Sequence, residues 1–82
     1  MANILMNKYR VYLFYRKGGF LVGCDSFEMT LENVLFMFND ATIENIQHNT
    51  NTLVLVLVLK IKEDYEKEVM HNKLITLGYI KD

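Results

Sequence analysis

The side chains able to do chemistry on their own are few and far apart: one cysteine, Cys24, and two histidines, His48 and His71. A structural or catalytic metal site needs three or four converging ligands, and sequence announces them by Cys-x-x-Cys or His-x-x-x-His spacing. These residues fall in three separate elements without such spacing, so no metal is expected. Cys24 is followed by Asp25. A neighbouring carboxylate disfavours the thiolate that a nucleophile requires, and no histidine is paired with it in the sequence. The expected role of Cys24 is that of a small buried core residue, with His48 in a turn and His71 on a solvated helix face. Gly18-Gly19 lacks a following helix or a P-loop lysine, which makes it a hairpin turn and not a phosphate cradle. Glu63, Asp64, Glu66 and Glu68 are interleaved with Lys62 and Lys67, the pattern of a solvated face with i,i+4 pairs. No catalytic residue, cofactor or metal is expected, and an enzyme is the least supported class.

Two stretches carry recognition chemistry instead. In Lys8 to Arg16 (KYRVYLFYR), Tyr9, Val11, Leu13 and Tyr15 share one face of a strand while Arg10, Tyr12, Phe14 and Arg16 share the other. In Thr52 to Lys62 (TLVLVLVLKIK), Leu53, Leu55, Leu57, Leu59 and Ile61 alternate with Val54, Val56 and Val58, so both faces are apolar. A strand with one wet face alternates apolar with polar residues, whereas one covered on both sides reads as a continuous aliphatic run. With Leu53 to Leu59 turned inward, the open face carries Val54, Val56 and Val58 beside Arg10, Tyr12, Phe14 and Arg16. The alternative is that a chain terminus folds across these residues. Phe36, with Met37 beside it, falls on the outer side of a helix, where a large aromatic either caps the core or anchors a partner.

The elements that must position these residues follow from local signals. The first strand, β1 (Lys8–Arg16), turns at Lys17-Gly18-Gly19 into β2 (Phe20–Asp25). Thr30 caps helix α1 (Leu31 to about Ala41), with Met29 stapled onto Val34 and with Leu31, Val34, Leu35, Phe38 and Ala41 on its core face. A modest strand, β3 (Thr42–His48), turns at Asn49, Thr50 and Asn51 into β4, the Thr52–Lys62 run. Glu63 or Asp64 opens α2 (Tyr65–Leu77), whose face is Val69, Met70, Leu74 and Leu77 and whose end is marked by Gly78; a short strand within Leu74 to Ile80 is the competing reading. Residues 1–7 have no firm periodicity.

The order ββαββα predicts an α+β two-layer sandwich, with a four-stranded antiparallel sheet in the order 1-2-4-3 and two helices on one face. That order places apolar β2 and β4 in the centre and charged β1 and polar β3 at the edges, where charge discourages stray pairing. The layout resembles a circularly permuted ferredoxin-like fold, a likeness of architecture shared by many functions.

Length and composition set the outer bounds. Eighty-two residues, 51% hydrophobic and 23% charged, make one globular domain, residues 1–82, small enough that self-association would help its stability. Net charges of +2, −1 and −2 over residues 1–29, 30–62 and 63–82 offer no broad basic field for a phosphate backbone. A single cysteine excludes an internal disulfide, the start lacks the regions of a signal peptide, and no apolar stretch reaches the ~18–20 residues that span a bilayer. The expectation is a cytoplasmic protein with no membrane partner.

The function expected is that of a small non-enzymatic protein-binding module that acts by occlusion or scaffolding and forms a homodimer through its sheet. Proline-free composition rich in Asn, Lys and Ile resembles that of the small accessory proteins of phages and mobile elements, some of which inhibit host proteins such as CRISPR effectors. Two alternatives stand beside it. One is an RNA-binding or regulatory domain, in which Tyr12 and Phe14 flanked by Arg10 and Arg16 stack bases; no RNP-type motif accompanies them, and nucleic acid is the less favoured partner. The other is a small-ligand sensor of ferredoxin-like type.

Overall fold

In the computed structural model of the chain, the described residues are 4–38, 43–49 and 51–82, with side chains described for 5–38 and 51–82. The sequence expectations for residues 39–42 and 50, and for the side chain of His48, lie outside them. A short 3-10 turn (Ile4–Met6) leads into β1 (Lys8–Lys17), followed by β2 (Phe20–Thr30), α1 (Leu31–Met37), β3 (Ile43–Asn49), β4 (Val54–Ile61) and α2 (Asp64–Thr76).

The local signals act as their chemistry dictates. Lys17 pairs with Phe20 across a two-residue turn, and Gly18 supplies its positive φ of 61°. The Thr30 hydroxyl accepts from the Asn33 amide at 3.2 Å and so caps α1. Met29 and Val34 both end in the core, where the staple puts them. At α2, Glu66 accepts from the Glu63 amide at 2.7 Å in a reciprocal capping box. Beyond its last turn, Gly78 at φ 87° lets its own amide bond Ile75 O at 3.0 Å and the Tyr79 amide bond Leu74 O at 2.9 Å, the two bonds of a Schellman ending. Leu74 to Ile80 therefore contains no strand.

The sheet corrects the expected topology. It is mixed, in the order β2-β1-β4-β3, and its central pair, β1 with β4, is parallel. The antiparallel order 1-2-4-3 and the permuted ferredoxin-like layout do not describe it; the class, α+β, does. Two misreadings explain the difference. The charges of β1 lie toward its ends, and its middle is apolar on both faces (Val11, Leu13 inward; Tyr12, Phe14 outward), as suits a central strand. And β2 does not stop at Asp25 but runs to Thr30, gaining Ser26 and Glu28 on its outer face, the polar residues an edge strand tolerates. From β2 the chain crosses through α1 to the opposite edge, and the β3–β4 hairpin returns β4 beside β1.

Tyr9, Val11, Leu13 and Tyr15 of β1, Phe27 and Met29 of β2, and Leu55, Leu57, Leu59 and Ile61 of β4 are buried on one face with Val34 of α1, Phe38 at its C-cap and Leu74 of α2. Both helices therefore cover that face. Their stripes are thinner than predicted. Leu35 is half exposed in α1. In α2 only Leu74 is buried, while Val69 and Leu77 stand out in solvent. Polar contacts supplement this thin packing. Lys17 Nζ meets Asp64 Oδ1 at 3.1 Å, and two further ties, described below, join α2 to β2. No helix among the described residues is long and apolar enough to cross a membrane.

Candidate functional site

Because successive strand residues point to opposite faces, burying Val11, Leu13 and Tyr15 turns Tyr12, Phe14 and Arg16 outward, and burying Leu55, Leu57 and Leu59 does the same for Val54, Val56 and Val58. Parallel pairing then sets them side by side: Arg10 opposite Val54, Tyr12 opposite Val56, Phe14 opposite Val58 and Arg16 opposite Lys60. Tyr12 and Phe14 are flanked on their other side by Ser26 and Cys24, and the valines are flanked by the positions of Asn49, Gln47 and Asn45. The result is an apolar stripe with polar borders. Its three valines and Phe14 are half-buried by neighbours within the sheet, and Tyr12 is 38% exposed.

Among the described residues nothing lies across this stripe. The 3-10 turn packs beside α1, with the Leu31 amide bonded to Asn7 O at 3.2 Å. At the other end of the chain, Tyr79 and Ile80 join the core on the helix side, where the Tyr79 ring tilts against Phe27 at 6.1 Å. Seven of the eight residues singled out as partner-binding thus share one face. Phe36 does not join them. It is 80% exposed on α1, on the helix side of the sheet, and caps no core edge.

The charges at the ends of the stripe are partly neutralised. Arg10 Nη2 meets Glu28 Oε1 at 3.3 Å, both side chains being well exposed, and Arg16 is half-buried. A phosphate approaching Tyr12 would compete with Glu28 for Arg10.

Sequence reasoning missed a second constellation, built by β2 and α2 on the helix side. Asp25 shares the face of Leu13, its partner across the β1–β2 pair, and so points at α2. Its carboxylate accepts the Tyr15 hydroxyl at 2.6 Å and faces His71 Nδ1 at 2.8 Å, with only 12% of the Asp25 side chain exposed. His71, expected on a solvated helix face, keeps 42% of its side chain exposed, but one edge of its ring is anchored to the sheet through Asp25, a contact the sequence did not announce. Burial, reinforced by the hydrogen bond and charge of Asp25, pushes the Tyr15 phenol far above its ordinary range. One turn earlier on α2, Lys67 Nζ donates to Val22 O at 3.0 Å. Val22 is the extra residue where the register shifts between Tyr15 and Arg16. Lys67 reaches it across Gly23, where a Cβ would stand 2.9 Å from Lys67 Cδ.

The chemistry open to this cluster is limited. An anchored His–Asp pair is half of a nucleophilic machine, but Cys24 is exposed and neighbours Asp25 on an alternating strand, which turns its thiol toward the opposite face. Burial and then the charge of Asp25 push that thiol up from its ordinary value, away from the thiolate. The expectation of a buried Cys24 fails because it sits on the open face of an edge strand. Among the described residues no three His, Cys, Asp or Glu converge as metal ligands. The signal that was available is the alternation of Phe27 and Met29 with Ser26, Glu28 and Thr30, which extends β2 and fixes the direction of Asp25.

Compared with protein-family models, curated proteins and solved structures, the chain has no match.

Proposed function

We propose that this protein is a binding module without chemistry of its own, which docks protein through the open face of its sheet, a second copy of itself being the first partner. The observation that supports this reading most is the stripe of Tyr12, Phe14, Val54, Val56 and Val58, held in register on the two central strands and bordered by polar positions. Four strands spaced ~4.8 Å apart and about eight residues long at ~3.3 Å each give a flat face of roughly 500 Å². Relief of the side chains brings that close to the ~600 Å² per partner of the smaller specific interfaces. An apolar centre with a polar rim is also the composition of such interfaces. The mechanism is occlusion: whatever surface the stripe covers is withheld from other partners.

The same aromatics could stack bases, and the pairing of Arg10 with Glu28 weighs against that use. Titration with labelled single-stranded RNA at physiological salt discriminates. The proposal expects no binding. A shift that disappears in both Tyr12→Ala and Arg10→Ala, and weakens steeply as salt rises, would replace protein docking with a base-stacking function.

A further inference from the structure

A cavity of about 430 Å³ separates α2 from the strands it packs on, a volume within the ~300–1,000 Å³ range of small-ligand pockets. Tyr15 of β1 and Gly23 to Asp25 of β2 form one wall, and Lys67, Glu68, His71 and Asn72 of α2 form the other. The anchored contacts fix what its polar atoms can offer. Asp25 accepts the Tyr15 hydroxyl through Oδ2 at 2.6 Å and meets His71 Nδ1 through Oδ1 at 2.8 Å. A carboxylate only accepts, so Nδ1 is the nitrogen that carries the proton. In the uncharged ring Nε2 then keeps its lone pair, an acceptor held in one orientation by the Asp25 contact.

The other polar groups divide into engaged and open. Lys67 Nζ is drawn to Val22 O at 3.0 Å. Its stem lies across Gly23, where an added Cβ would stand 2.9 Å from Lys67 Cδ and 3.6 Å from Tyr15 Cδ2, so stem and ring supply an apolar wall. Glu68 and Asn72, in contrast, take part in no hydrogen bond or ion pair among the described residues. Positions three and four apart on a helix are surface neighbours, which places the Glu68 carboxylate, the His71 ring and the Asn72 amide in one patch. The lining holds two carboxylates, Asp25 and Glu68, against one fixed cation, Lys67, a net charge of −1 with His71 uncharged.

We propose that this cavity binds a guanidinium group, with the Glu68 carboxylate and His71 Nε2 as the acceptors that hold it. A guanidinium presents five N–H donors in a planar fork, enough for a two-point contact with a carboxylate and a further donor for Nε2. The negative lining disfavours an anion. A metal ion would find Glu68 and His71 but no third converging ligand among the described residues. An ammonium is more strongly hydrated than a guanidinium and lacks the fork. The volume leaves room for an alkyl stem against the Lys67 methylenes, which makes arginine, free or as a side chain of a polypeptide, the fitting carrier. Both acceptors stand on α2, on the helix side of the sheet, and the site does not rest on docking through the open face.

The test titrates N-acetyl-arginine methylamide, a guanidinium on an uncharged backbone, into the full-length protein at constant ionic strength while NMR follows the ring nitrogens of His71. The expected result is a saturable shift of Nε2, larger than that of Nδ1. N-acetyl-lysine methylamide should bind about tenfold or more weakly, and so should the arginine probe in Glu68→Gln, which keeps the side-chain shape and removes the charge that the fork pairs with. Comparison with free arginine distinguishes the two carriers: tighter binding than the capped probe assigns the site to the free amino acid, and equal or weaker binding assigns it to an arginine side chain. Far-UV circular dichroism checks that Glu68→Gln keeps its fold, and the ring-nitrogen readout and the lysine comparison need no variant. The proposal is overturned if Nε2 shows no saturable shift, if the lysine analogue binds as tightly as the arginine probe, or if folded Glu68→Gln keeps the wild-type affinity.

Discussion

Tyr12 and Val56 stand opposite one another on the two central strands, paired in parallel, and both turn away from the helices. Their neighbours in sequence, Leu13 and Leu57, are fully buried on the other face. One residue step thus separates core from candidate interface.

That step is measurable. Leu57→Ala should destabilise the protein by about 2–5 kcal/mol, as a truncation in a sealed core does. Val56→Thr should cost under about 1 kcal/mol, since a half-exposed hydroxyl keeps its water. Urea unfolding of the monomeric protein compares the two. Equal losses would mean that the valine face is internal core and not an exposed surface.

Tyr15→Phe should cost about 1–3 kcal/mol, because Asp25, almost closed off from water, loses the hydroxyl that satisfies Oδ2. A double-mutant cycle with Asp25→Ala checks the cause. In the Asp25→Ala background the same change should cost far less, and an unchanged cost would place the loss in packing instead.

The Glu66 carboxyl lies below its ordinary range because it accepts the backbone amides of Glu63 and Lys62. A depressed folded-state value means that the group contributes stability above the ordinary glutamate range and loses it as pH falls through the folded value. Thermal unfolding across the acid range should therefore show wild type more stable than Glu66→Gln near neutrality, with the two curves converging in acid. A constant gap at all pH would show that the capping box does not depend on the charge.

How much of this was legible depended on sequence separation. The β1–β2 turn, the Thr30 cap and the Gly78 ending rest on residues a few positions apart, and each formed as read; the Glu63–Glu66 box is equally local, but the sequence reading went no further than Glu63 or Asp64 opening the helix. So did the assignment of Val54, Val56 and Val58 to the face of Tyr12 and Phe14, because alternation in two strands leaves few choices. The sheet order was not legible, since the choice of β1 or β2 for the centre depended on how far β2 runs and on weighing end charges against an apolar middle. The Asp25–His71 contact spans 46 residues and joins a strand to a helix whose weak apolar stripe gave no phase. Nothing near His71 in sequence distinguishes an anchored ring from a solvated one.

Docking through the open face is tested most directly by the mass of the protein in solution, measured by light scattering at high micromolar concentration. For a protomer of 9.7 kDa, the expected result is a wild-type mass of twice that value, and the protomer mass with an unchanged circular dichroism spectrum for Val56→Lys. A wild-type mass of one protomer, or a Val56→Lys variant that still dimerises, would contradict the account.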